Sequence, residues 1–80
     1  MQKSIGSRNY AHFLTCLREA REKSGVTQEE MAARLGETQS FVSKCERGER
    51  RMDIVELREF CKAMGLTLEK FVKQLERGMH

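Results

Sequence analysis

Gln39 and Lys44 bring two side-chain chemistries that read base edges in a duplex. A carboxamide pairs with N6 and N7 of adenine, and an ammonium with O6 and N7 of guanine. With Ser40 they fall on one side of any helix drawn through this stretch. Spacing alone would serve equally well for an ordinary solvated helix face. Other chemistries are poorly provided for. The two histidines, His12 and His80, lie near opposite ends and make no acid–base pair. Glu29 and Glu30 sit in the first turn of an expected helix, where acids favour the dipole. No glycine-rich phosphate loop is present. His12 and Cys16 are spaced i, i+4, but two ligands do not make a zinc site. The three cysteines, Cys16, Cys45 and Cys61, contain no CxxC pair and fall in helical patterns. They read as small core residues with free thiols. Neither catalysis nor a metal nor any other cofactor is expected.

The elements that must position these groups are legible around them. Thr27 is followed three residues on by Glu30, the capping-box pattern of a helix start. Ala32 is small where a second helix would cross closely, and Gly36 stands where the chain must turn, with a positive φ expected. Thr38 caps a second helix, whose buried side is Val42 and Cys45 and whose end is Gly48. Residues 27–48 thus read as a helix-turn-helix, a unit that lays one helix across DNA and the next in the major groove.

Around it, Tyr10, Phe13, Leu14, Leu17 and Ala20 recur at three- and four-residue steps, predicting a helix from about Asn9 to Ser24 that Gly25 ends. Gln28–Leu35 and Gln39–Arg47 are the two helices of the motif, the first with Met31, Ala32 and Leu35 inward. Asp53 caps a fourth helix with Ile54, Leu57, Phe60, Cys61 and Met64 as its apolar set, closed by Gly65. Thr67 caps a fifth, carrying Leu68, Phe71, Val72 and Leu75. Five short helices around one small core make an all-α domain. Residues 1–8 are expected as a flexible arm, 9–77 as the domain and 78–80 as a tail.

With 80 residues, one domain is expected, and no apolar run approaches the roughly 20 residues of a membrane span. The first residues lack the apolar stretch of a signal peptide, so a soluble cytoplasmic protein is expected. The net charge of +3 is unevenly spread. Residues 1–25 carry five Lys/Arg against two Glu, 26–48 three against four, and 49–80 seven against six Asp/Glu. The helix-turn-helix is itself slightly acidic. Phosphate contacts must therefore come from a few placed residues, not from a general positive field.

From Leu17 to Leu75 the chain resembles the Cro-and-repressor (XRE-like) helix-turn-helix family of phage and bacterial regulators. The resemblance lies in LREAREKSGVTQEEMAARLG, in TQSFVSKCERGER and in AMGLTLEKFVKQL, where glycines, caps and apolar positions all fall in register. It implies a compact five-helix, lambda-repressor-like fold. It also implies roles. Gln28 matches a glutamine that holds a DNA phosphate and braces the recognition helix. Gln39, Ser40 and Lys44 match the positions that face base edges. Phe41, exposed by helical phase, is placed to pack on a thymine methyl. Ser43 lies beside Lys44, and Arg47, Arg50 and Arg51 follow, all suited to phosphates. Arg21 and Glu46 match a buried ion pair of several relatives. Two positions depart from the pattern. Glu37 puts a negative charge in the turn, and Cys45 is smaller than the residue usual on the buried side.

The expected function is that of a sequence-specific transcription regulator, a repressor by preference. It would bind a palindromic double-stranded operator as a homodimer at the nucleoid. The dimer is assigned to the wide apolar stripe of helix 5: Leu68, Phe71, Val72 and Leu75. The alternative is the same fold holding a protein partner, as an antitoxin or accessory factor.

Overall fold

The computed structural model describes residues 3–79, with Lys3–Ser7 described by their backbone only. Five helices follow in order: α1 (Lys3–Lys23), α2 (Gln28–Leu35), α3 (Gln39–Arg47), α4 (Ile54–Ala63) and α5 (Leu68–Glu76). Each of α2–α5 begins at a side-chain cap. Thr27 Oγ1 accepts from Glu30 N, and Glu30 returns the bond to the Thr27 N–H, closing the capping box. Thr38 and Thr67 cap α3 and α5 in the same way, from Phe41 N and Lys70 N. Asp53 and Glu56 form a second reciprocal box at α4. Caps of this kind each contribute about 1 kcal/mol, which matters for helices of two or three turns.

α1 starts six residues earlier than its apolar repeat predicts. Residues 3–8, expected as an arm, are helical, while residues 1 and 2 lie outside the described residues. The segment has no proline, and extending a helix already anchored at Tyr10 and Phe13 costs little per residue. At the other end, Gly78 lies against the ring of His12, whose Nε2 is 3.0 Å from the Leu75 carbonyl. His80 is outside the described residues.

α2 packs on α3 and α4; α1 packs on α5 and α3, and α4 on α5. Leu17, Met31, Val42, Cys45, Phe60, Cys61 and Phe71 are the largest fully buried side chains where these faces meet. Phe13 meets Phe71 edge-on, with ring centroids 6.1 Å apart. Two expectations fail here. Ile54, assigned to the inner set of α4, is 61% exposed. It is the first residue of its helix and lines an open cleft with Tyr10, Leu57 and Leu75. Phe71, assigned to a dimer face, is completely buried and belongs to the core.

Gly48 illustrates why one turn tolerates no side chain. Its φ is +80°, and a Cβ there would lie 2.8 Å from Leu14 Cδ1 on α1. Gly48→Ala is expected to destabilise by about 1–3 kcal/mol through backbone strain, before any Leu14 shift. An unchanged thermal midpoint would contradict this.

Burial pushes the thiols of Cys45 and Cys61 up, Arg50 partly offsetting the effect at Cys45. Cys16 is half-buried and is also pushed up, by burial and then by Glu19. A thiolate is the reactive form. Near neutral pH an alkylating reagent is therefore expected to modify Cys16 slowly and the other two only on unfolding. Rapid native labelling of Cys45, read by peptide mass, would refute that.

Candidate nucleic-acid interface

α3 divides cleanly by phase. Val42 and Cys45 are fully buried and Glu46 nearly so, whereas Gln39, Ser40, Lys44 and Arg47 are exposed and Ser43 is half-buried. The turn before it is made at Gly36, with φ +71° and its N–H returned to the carbonyls of Ala32 and Ala33. A residue with a Cβ is strained in that left-handed geometry. The turn thus sets the angle at which α3 leaves α2 and turns its polar side outward.

The inner side of α3 is tied down by one carboxylate. Glu46 Oε2 accepts from Arg21 Nε at 2.5 Å and Oε1 from Arg21 Nη2 at 3.0 Å. The remaining Nη1 of Arg21 donates to the Val26 carbonyl at 2.9 Å. Gln28 Nε2 also donates to Glu46 Oε1, at 3.0 Å. A carboxylate can only accept, so the Gln28 nitrogen must face it and its amide oxygen points elsewhere. The pair is shielded from water, with side-chain exposures of 11% for Arg21 and 4% for Glu46. The bond to Glu46 raises the Arg21 pKa above its ordinary value. Glu46 therefore joins α1, the loop before α2, the first residue of α2, and α3.

The cations at the end of α3 are engaged within the fold. Arg47 donates through Nε to Glu49 Oε2 at 2.8 Å and through Nη1 to Ser43 Oγ. Arg50 forks onto Glu56 at 2.9 and 3.1 Å and lies 4.8 Å over the ring of Phe41. Arg51 lies 4.2 Å over the ring of Tyr10. Among the described residues, no side-chain hydrogen bond within the fold occupies Gln39, Ser40 or Lys44.

Phe41 departs from its expected exposure. It is half-buried, 6.3 Å from Phe60 between ring centroids, and roofed by Arg50. Its place on α3 turns it toward α4, not toward the side that carries Gln39 and Lys44. Sequence reasoning also missed Glu49 and Glu56 as partners. The Asp53-x-x-Glu56 spacing was readable as a capping box. Nothing in the spacing of Arg47 and Glu49 marks them as a pair.

Comparisons with known proteins agree with this arrangement. A family model described as Helix-turn-helix matches residues 17–71. The chain is 37% identical over 67 residues to y4dJ of Sinorhizobium fredii, described as an uncharacterized HTH-type transcriptional regulator, covering 84% of this chain and 77% of that protein. The solved structure of an XRE-family like protein from Pseudomonas syringae pv. tomato is 45% identical, superposes with a TM-score of 0.86, and is covered over 92% of its length by 94% of this chain. The restriction-modification controller protein C.Esp1396I shares the fold at 22% identity, with a TM-score of 0.78 over 86% of this chain and 90% of its own. A capped two-helix unit, a glycine turn and an outward polar face on α3 are thus found in a chain that belongs to the helix-turn-helix family of XRE-type transcription regulators, not to an enzyme family.

Proposed function

We propose that this regulator is a repressor that binds a palindromic operator as a homodimer, with α3 of each copy in the major groove. The observation that carries the reading is the contrast on α3. Gln39, Ser40 and Lys44 are exposed with no hydrogen bond inside the described fold, while the residues behind them are locked through Glu46. Free donors and acceptors on a rigid helix are what base readout needs. Gln28 and Ser43 supply phosphate contacts, Gln28 doing so while Glu46 fixes its position, and Arg47 reaches phosphate only by leaving Glu49. Arg50 and Arg51 reach phosphate only by sharing or leaving Glu56 and Tyr10.

Phe71 takes no part in the dimer, being core. The face falls to Leu68, Val72 and Leu75, which are half-buried on α5, with Ile54 of α4, 61% exposed and lining one cleft with Leu75, as apolar reinforcement. No helix among the described residues is long and apolar enough to cross a membrane. The proposed site of action is the nucleoid, in the cytoplasm.

Selection of bound duplexes from a random-sequence pool, at physiological salt, tests this. Enrichment of a palindrome with half-sites about 34 Å apart, one DNA turn, is expected. Enrichment of no sequence would overturn operator recognition and favour a protein-binding role. Affinity is also expected to fall about 10³–10⁵-fold between roughly 50 and 200 mM salt, as for 6–10 phosphate contacts.

A further inference from the structure

We propose that Glu49 restrains DNA affinity by occupying Arg47, and so sets how tightly the protein holds DNA of any sequence. The inference rests on the DNA-binding reading above. Arg47 is exposed in the last turn of α3, three residues after the exposed Lys44 and so on the same side of the helix. Its Nε is spent on Glu49 Oε2 at 2.8 Å, and its Nη1 on Ser43 Oγ. Two groups suited to phosphate are thus bonded to one another and to a carboxylate. A phosphate has to displace Glu49 from the guanidinium or approach it against a like charge.

Glu49 is well placed for this role. It directly follows Gly48, whose left-handed turn brings the chain back beside the last turn of α3. The Glu49 N–H bonds the Lys44 carbonyl at 2.9 Å, which fixes the loop there. Its carboxyl is held below the usual carboxylate range by the bond from Arg47, with Lys44 adding to the effect, so it is ionised at neutral pH. The side chain is 54% exposed and is not part of the hydrophobic core. The two charged residues that interact with Glu49, Arg47 and Lys44, therefore belong to the proposed interface.

Phosphate contacts carry no sequence information. Releasing Arg47 therefore strengthens binding to specific and non-specific duplexes alike. Glu49→Gln removes the competing charge but keeps the size. Duplex binding of the full chain is measured by fluorescence anisotropy across a salt series. The substitution is expected to tighten binding about two- to fivefold, the worth of an exposed ion pair. It is also expected to steepen the slope of log affinity on log salt by about 1.8 for the dimer, from one further phosphate per protomer at about 0.9 each.

Glu76→Gln is the control. It changes the net charge equally on α5, which makes no contact with α3 among the described residues. It is expected to leave the slope as in the parent protein. Equal effects of the two substitutions would reduce Glu49 to general charge and overturn the inference. So would a full Glu49→Gln gain in an Arg47→Ala background. Parent protein that binds duplex while Glu49→Gln changes nothing sinks only this inference. A parent that binds no duplex at low salt overturns the DNA reading itself.

Discussion

Arg21→Met is expected to lower stability by about 3–5 kcal/mol, the usual consequence of removing one partner of a buried ion pair. The cause is not the lost attraction alone. Glu46 remains nearly buried, and only the amide of Gln28 is left to satisfy a charge that a bidentate guanidinium had neutralised. The Val26 carbonyl also loses its donor. Small domains have roughly 5–15 kcal/mol in all, so at least about a fifth of the stability goes. Lys44→Ala, an exposed change, is expected to stay within about 0.5 kcal/mol of the parent. Equal thermal midpoints for the two variants would refute the role given to the pair. The double variant Arg21→Met with Glu46→Leu separates the causes. Much of the stability is expected to return, because no buried charge then remains unpaired. A double variant no better than Arg21→Met would show that Glu46 fills a role other than accepting these bonds.

Gln39→Ala together with Lys44→Ala is expected to abolish discrimination between the selected operator and random duplex. Each base-reading side chain contributes about 1–3 kcal/mol of discrimination, so the pair removes about 2–6 kcal/mol per protomer. The melting curve is expected to be unchanged, since both side chains are exposed and bonded to nothing in the described fold. Non-specific binding is expected to survive in weakened form, because the arginines that face phosphate remain. Retained preference for the operator would mean that readout lies elsewhere. Retained preference with Ser40→Ala added would remove α3 from base recognition altogether.

Much of the fold was legible because its signals are local. Thr27 and Glu30, Thr38, Asp53 and Thr67 announce helix starts by chemistry completed within three residues. Gly36 and Gly48 announce turns because both have a positive φ that side chains resist. The Arg21–Glu46 pair is legible only through the family resemblance, since 25 residues separate its members and no spacing rule spans them.

The sequence by itself thus determined five helices, their limits from Gln28 onward, and which face of α3 is polar, because caps, turns and periodicity act within one or two helical turns. Tertiary structure decided which of the chemically similar residues are free. Arg47, Arg50 and Arg51 look alike in the sequence, yet each is engaged by a different group: Glu49 and Ser43, Glu56 with Phe41, and Tyr10. The sequence points both Phe41 and Phe71 outward, and packing draws one against Phe60 and the other fully into the core. Helical phase gives a side chain's direction from its own axis. Whether it meets water, a carboxylate or a ring depends on elements that arrive from elsewhere in the chain.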